Sequence, residues 1–165
     1  MTVLHNIPPL YDENSKILIL GSFPSVKSRE AQFFYGHPQN RFWRVLSALT
    51  GEECPAVTED KKAFLKRNGI AVWDVIKSCD ITGSSDSSIK NAVPNDLSEI
   101  FETANIKKVF CNGTTSYKLY KRYMEKETGR TAELLPSTSP ANAAYKLDDL
   151  IREWKKINDY GDEKM

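Results

Sequence analysis

Four short apolar runs, separated by stretches of helical periodicity, restrict this chain to a small group of folds. They are Lys16–Leu20, Gly69–Val75, Lys107–Asn112 and Thr131–Pro136, the last weakened by its brevity and by Glu133. Around them, apolar residues recur at three- and four-residue spacing. Phe42, Val45, Leu46 and Leu49 do so within Arg41–Leu49, and Phe64 and Leu65 within Thr58–Arg67, which Thr58 can cap. Leu97, Ile100 and Phe101 mark Asn95–Thr103, and Tyr117, Leu119, Tyr120 and Tyr123 mark Thr114–Glu127. Leu147, Leu150, Ile151 and Trp154 mark Asn142–Ile157. This spacing lines one face of a helix. Strands alternating with helices predict an α/β fold, a three-layer αβα sandwich around a central four-stranded parallel sheet. A chain of 165 residues supports one core of this kind, expected over 1–157, with 158–165 as a flexible tail. The longest irregular stretch, Ser78–Pro94, contains Thr82-Gly-Ser-Ser-Asp-Ser-Ser88 and reads as a functional or mobile loop.

Composition excludes several classes of function. No apolar run approaches the roughly 20 residues that span a bilayer. No basic segment followed by an apolar one trails Met1, so a cytoplasmic location is expected. Cys54, Cys79 and Cys111 are odd in number and show no C-x-x-C spacing, which argues against a disulfide framework, a zinc site or an iron–sulfur cluster. Cys111 reads as a small buried apolar residue of a strand. With only His5 and His37 present, no metal site is expected, and no cofactor. Net charge is +1, but residues 27 to 44 carry Lys27, Arg29, Arg41 and Arg44 against Glu30, a local balance of +3. Local positive charge is what phosphate contact requires, so a nucleic-acid partner is permitted.

Two turns concentrate the chemistry. Gly21-Ser-Phe-Pro-Ser25 directly follows Ile17-Leu-Ile-Leu20, at the carboxyl edge of a sheet where α/β proteins bind ligands. Tyr35-Gly-His-Pro-Gln-Asn-Arg-Phe-Trp43 then crowds aromatic, His, Asn and Arg side chains into nine residues. That mixture suits stacking a planar base and polarising a bond beside it. Pro136-Ser-Thr-Ser-Pro-Ala-Asn142 forms a second small-residue turn after the last apolar run. At the ends of two strands, both turns would frame one cleft.

Together with Val72-Trp-Asp-Val75, these strings resemble the uracil-DNA glycosylase superfamily, most closely its hypoxanthine- (deoxyinosine-) DNA glycosylase branch, over about residues 16 to 145. The resemblance implies an enzyme that flips a deaminated nucleotide from double-stranded DNA and hydrolyses its N-glycosidic bond. It implies Asn40 as the amide that aims the attacking water, and the same residue type suits a cap for the helix starting near Arg41. It places Tyr35 against the flipped base. Phe23 stands where relatives carry a water-positioning Asn, with the usual Asp nearby, and this chain has neither there. His37 reads first as a structural residue bonding a loop carbonyl and second as a substrate contact. Asp74 reads either as a carboxylate accepting the N1–H of hypoxanthine or as a turn cap. Ser137 falls near the leaving base, with backbone N–H groups of its turn beside it. Ser22, Ser25 and Ser139, helped by Lys27 and Arg29, read as phosphate or substrate contacts. Thr138 and Asn142 complete the expected DNA-contacting set. Ala141 and Asn142 stand where relatives insert a bulky wedge.

No lysine is placed for Schiff-base chemistry, so a monofunctional enzyme acting as a monomer is expected. Two other readings stay open. A small-ester hydrolase using Ser22 or Ser25 lacks G-x-S-x-G and a His in triad order. A catalytically inactive nucleic-acid-binding domain of the same fold is allowed by the replacement at Phe23.

Overall fold

The computed structural model describes residues 1–161. Its strands are β1 (Thr2–Leu4), β2 (Ile17–Gly21), β3 (Ile70–Asp74), β4 (Ile76–Asp80), β5 (Lys90–Pro94), β6 (Lys108–Asn112) and β7 (Ala132–Leu135). Its helices are α1 (Val26–Ala31), α2 (Phe42–Thr50), α3 (Thr58–Arg67), α4 (Ser98–Thr103), α5 (Thr114–Tyr123), α6 (Glu125–Thr128), α7 (Leu147–Trp154) and α8 (Asn158–Gly161). The four expected strands form one parallel sheet in the order β3-β2-β6-β7.

Why the central runs are continuously apolar follows from their burial on both faces. Ile17 and Ile19 join a core with Ile70, Val72, Phe110, Phe42 and Trp154. Leu18 and Leu20 join the opposite core with Ala71, Val109, Cys111 and Tyr120. Alternate side chains of one strand thus enter two cores, which makes the three layers. Truncating Leu18 or Leu20 to Ala is expected to cost about 2–5 kcal/mol of stability. Cys111 is fully buried, and burial pushes its thiol pKa up to about 12, so it serves as packing. Glu133 is tolerated because β7 is an edge strand, with Lys156 3.7 Å from its carboxylate.

The expected loop at Ser78–Pro94 instead holds parts of a second, antiparallel sheet in the order β1-β4-β5. Only Val75 separates β3 from β4, so the chain passes from one sheet into the other at the site. Lys-Ser-Cys-Asp and Lys-Asn-Ala-Val lack an apolar run; they pair with each other, and β1 pairs with the far edge of the first. The expected helix from Asn142 begins only at Leu147, because residues 139–145 are tied to Arg41. The segment 158–165, expected as a flexible tail, starts with α8, whose Tyr160 packs edge-on against Phe110, and residues 162–165 lie outside the described residues. Among the described residues, no helix is long and apolar enough to cross a membrane.

Candidate active site

The carboxyl ends of β2, β3, β6 and β7 deliver Gly21-Ser22, Asp74, Asn112-Gly113 and Pro136-Ser137 to one edge of the sheet. There a cavity of about 350 Å³ is lined from both turns and from the 35–43 string. Ser22, Phe23, Ser25, Tyr35, His37, Asn40, Asp74, Ser137, Thr138 and Ser139 all border it. The cavity therefore unites residues more than a hundred positions apart.

Its deep end is built around Asp74, only 4% exposed. His5 Nδ1 accepts the Ile7 N–H at 3.2 Å, so the ring proton sits on Nε2 and is donated to Asp74 Oδ2 at 2.8 Å. The imidazole is walled by Phe23, Phe34 and Trp73 at 5.9, 6.4 and 6.1 Å between centroids. The other Asp74 oxygen lies over Gly21, where an added Cβ would stand 2.4 Å from Oδ1. Only glycine permits that approach. Asn95 donates to the Asp74 and Ile76 carbonyls, fixing the chain where it leaves β3.

Tyr35 forms the cavity wall beside it. Its ring stacks on Phe42 with centroids 3.9 Å apart and planes 19° from parallel. Its φ of 51° is a left-handed conformation rare for a bulky residue, held by the Trp43 indole donating to its carbonyl at 3.2 Å. The phenol oxygen is buried near Asp74 and Asn112 without a well-formed hydrogen bond. Burial first, then the Asp74 charge, raise its pKa and keep the proton on.

The string Asn40-Arg41 joins the two turns. Asn40 Oδ1 accepts the Phe42 N–H at 2.9 Å, a local turn just ahead of α2, whose N-cap is Arg41 rather than Asn40, and the residue borders the cavity. Arg41 donates to the carbonyls of Ser139 at 2.7 Å, Asn142 at 3.2 Å and Tyr145. Its own backbone N–H reaches the Thr138 carbonyl at 3.1 Å. His37 Nδ1 accepts the Gln39 N–H at 3.1 Å, rather than meeting a loop carbonyl as expected.

In the second turn, Ser137 Oγ accepts the Ser139 N–H at 3.1 Å. Gly113 packs against it with φ 99°, and a Cβ there would lie 3.1 Å from that of Ser137. Asn112 grips Thr138 twice, accepting its N–H and donating to its hydroxyl, both at 3.0 Å.

The residues expected to contact DNA differ in how far their side chains are engaged within the fold. Thr138 is fully buried and its hydroxyl is engaged by Asn112, so its side chain holds the turn. Arg29 donates to the Gly83 carbonyl at 2.8 Å, with its guanidinium 5.5 Å from the Phe23 ring. Asn142 donates to the Ser137 carbonyl and lines a neighbouring hollow rather than the main cavity. Lys27 is exposed beside Glu30 and outside the cavity. Ser25 borders the cavity, but its hydroxyl caps α1 through the Ser28 N–H at 3.1 Å.

Four residues escaped the sequence reading. His5 lies in an unremarkable N-terminal segment, and its role appears only when β1 brings it beside β3. Asn112 ends a predicted strand as Asp74 does, a positional signal that could have found it. Arg41 belonged to the recognised string but was read as charge, whereas its donors clamp a turn. Asp86 lay in the supposed loop, and its Oδ1 accepts from Ser22 Oγ at 2.9 Å.

The model of the uracil DNA glycosylase superfamily matches residues 8–160. A hypoxanthine DNA glycosylase from Methanosarcina barkeri is 40% identical over 139 residues, 82% of this chain and 85% of the relative. A second protein of that name, from Methanosarcina acetivorans, is 36% identical over 159 residues, 94% of this chain and 98% of its own. A solution NMR structure of a candidate uracil DNA glycosylase from Methanosarcina acetivorans superposes with a TM-score of 0.78 at 32% identity, covering 96% of this chain and 99% of that one. With nearly the whole chain matched in sequence and in fold, this protein belongs to the uracil DNA glycosylase superfamily.

Proposed function

We propose that the chain is a monofunctional DNA glycosylase, a hydrolase of N-glycosyl bonds that excises deaminated bases from double-stranded DNA with hypoxanthine preferred. It acts as a monomer in the cytoplasm, and base-excision repair is the process it serves. The observation that carries this reading is the convergence of Tyr35, Asn40, Asp74 and Ser137 on one cavity of about 350 Å³. The two relatives named for hypoxanthine support the choice of base.

In this reading the flipped base lies against Tyr35, whose far side is backed by Phe42. Asp74 accepts the N1–H of hypoxanthine, and His5 holds the carboxylate as an acceptor. Adenine would turn a bare N1 lone pair toward the same oxygen and leave buried groups unpaired, which such pockets reject strongly. Uracil and xanthine carry a comparable N–H beside a carbonyl, so Asp74 alone does not separate them from hypoxanthine, and pocket shape and stacking set their order. Asn40 aims the water at C1′, and the Ser137 hydroxyl, whose oxygen accepts the Ser139 N–H, donates its proton toward the departing base. Ser22, Phe23, His37 and Ser139 complete the wall, and Ser25 and Lys27 lie on the side where the strand enters.

Single-turnover base release from duplexes containing inosine, uracil or xanthine tests the reading. Release from inosine by the wild-type protein, lost in Asn40→Ala with duplex binding retained, is the expected result. Duplex binding with no release of any base would favour the inactive binding domain instead.

A further inference from the structure

The titratable side chains bordering the cavity are Tyr35, His37, Asp74 and Asp86. Hydrolysis at C1′ is assisted by a group that takes a proton from the attacking water and faces the positive charge on the sugar. Three of the four are engaged otherwise. Tyr35 keeps its proton because burial and Asp74 hold it there. His37 accepts the Gln39 N–H on Nδ1, which leaves the ring proton of the neutral form on Nε2. Asp74 is bound to His5 at the deep end. Asn40 is an amide without basicity, and the first turn presents the apolar ring of Phe23, 8% exposed.

Asp86 differs from all of these. It arrives from the segment between β4 and β5, and its Oδ1 accepts from Ser22 Oγ at 2.9 Å. The segment is fastened to α1 by Arg29 donating to the Gly83 carbonyl at 2.8 Å and by the Val26 N–H donating to Ser84 Oγ at 2.9 Å. Asp86 is an exposed residue that borders both the main cavity and the neighbouring hollow that Ser137 also lines. Its carboxylate therefore stands between the two turns.

We propose that Asp86 is the catalytic carboxylate of this site, aimed by Ser22, and that it accepts a proton from the water attacking C1′. This rests on the glycosylase reading of the same cavity. In the step, the bond from C1′ to the base nitrogen breaks and its electron pair leaves with the base. The water oxygen bonds to C1′, and the proton it releases passes to Asp86. The base anion, facing the Ser137 hydroxyl, then takes a proton from solvent. Asn40 orients the water that Asp86 deprotonates.

Charged groups around Asp86 are Asp74 from β3, Arg29 from α1 through Gly83, and His37 across the cavity. Desolvation raises the Asp86 pKa, the Ser22 hydrogen bond opposes this, and Asp74 adds to it. A raised carboxylate pKa means that protonation, and loss of rate, sets in at a higher pH than for an ordinary aspartate. The rate should fall as pH drops through that pKa.

The test is single-turnover release of hypoxanthine from an inosine duplex across the acidic and neutral range. Asp86→Asn keeps the size and the acceptor for Ser22 but removes the charge. It should lower the rate by about 10²- to 10⁴-fold, the span of general base assistance, and flatten the acidic limb without changing duplex affinity. Asp86→Glu, which restores the charge, should recover part of the rate. Equal rates for the Asn and Glu variants, or an Asn variant with the wild-type rate and pH profile, would overturn the proposal. Absence of release by the wild-type protein from any lesion duplex would instead overturn the glycosylase reading itself.

Discussion

The two ends of the cavity are built on different physical terms. At the deep end, Asp74, Gly21 and Asn112 leave adjacent strands of a sheet buried on both faces, and His5 reaches in through a wall of aromatic rings. Each polar group there is placed by backbone register. At the rim, Asp86 is carried by a short exposed segment that serine hydroxyls and one arginine tie down. Rigid strand ends suit a group that must tell one base edge from another. A segment held by a few replaceable hydrogen bonds can adjust as a duplex enters, and it belongs to the low-stability end of a fold.

Four substitutions can break or sharpen this contrast. The largest effect is expected for Asn40→Ala, with single-turnover release reduced by about 10³-fold, the scale seen when one preorganised polar group is removed. Asp74→Asn should follow, lowering release from inosine by about 10²-fold and changing the order of lesions, because its amide can present a donor to the base. An unchanged lesion order in that variant would refute base reading at the deep end. His5→Ala leaves the buried carboxylate without its donor and should lower thermal stability by about 1–3 kcal/mol, read by denaturation, with weaker discrimination against adenine. At the rim, Ser84→Ala removes one tie to α1, and a loss of only about 0.5–1.5 kcal/mol with lesion order intact is expected. A change of lesion order in Ser84→Ala would show that the two ends are not separable.

Much of this architecture could be read from the chain. Ile17-Leu-Ile-Leu20 is apolar at every position because both faces of β2 are covered, and such runs announce themselves without context. The strings at 21–25, 35–43 and 136–142 were legible because Gly, Pro, Ser and Asn carry their local geometry with them. The second sheet was not legible. Its strands contain Lys77, Asp80, Lys90 and Asn91, and β4 becomes a central strand only because β1, far away at the start of the chain, pairs with its other edge. The same contact explains why His5 was invisible, since nothing adjacent to it in sequence marks it as a partner of Asp74. Thr138 and Arg29 were read as free polar groups, and only packing showed that each is consumed internally.

By itself the sequence determined the parallel sheet, its covering helices and the two small-residue turns at one edge. These depend on local preference and on the periodic burial of apolar side chains, both of which are properties of neighbouring residues. Only the tertiary structure decided which polar groups face the cavity and which are engaged elsewhere. That choice turns on hydrogen bonds between residues 64 to 98 positions apart, such as Ser22 with Asp86, His5 with Asp74 and Arg41 with Ser139. Such bonds form only after the strands have fixed the distances between their ends, and no local pattern encodes them.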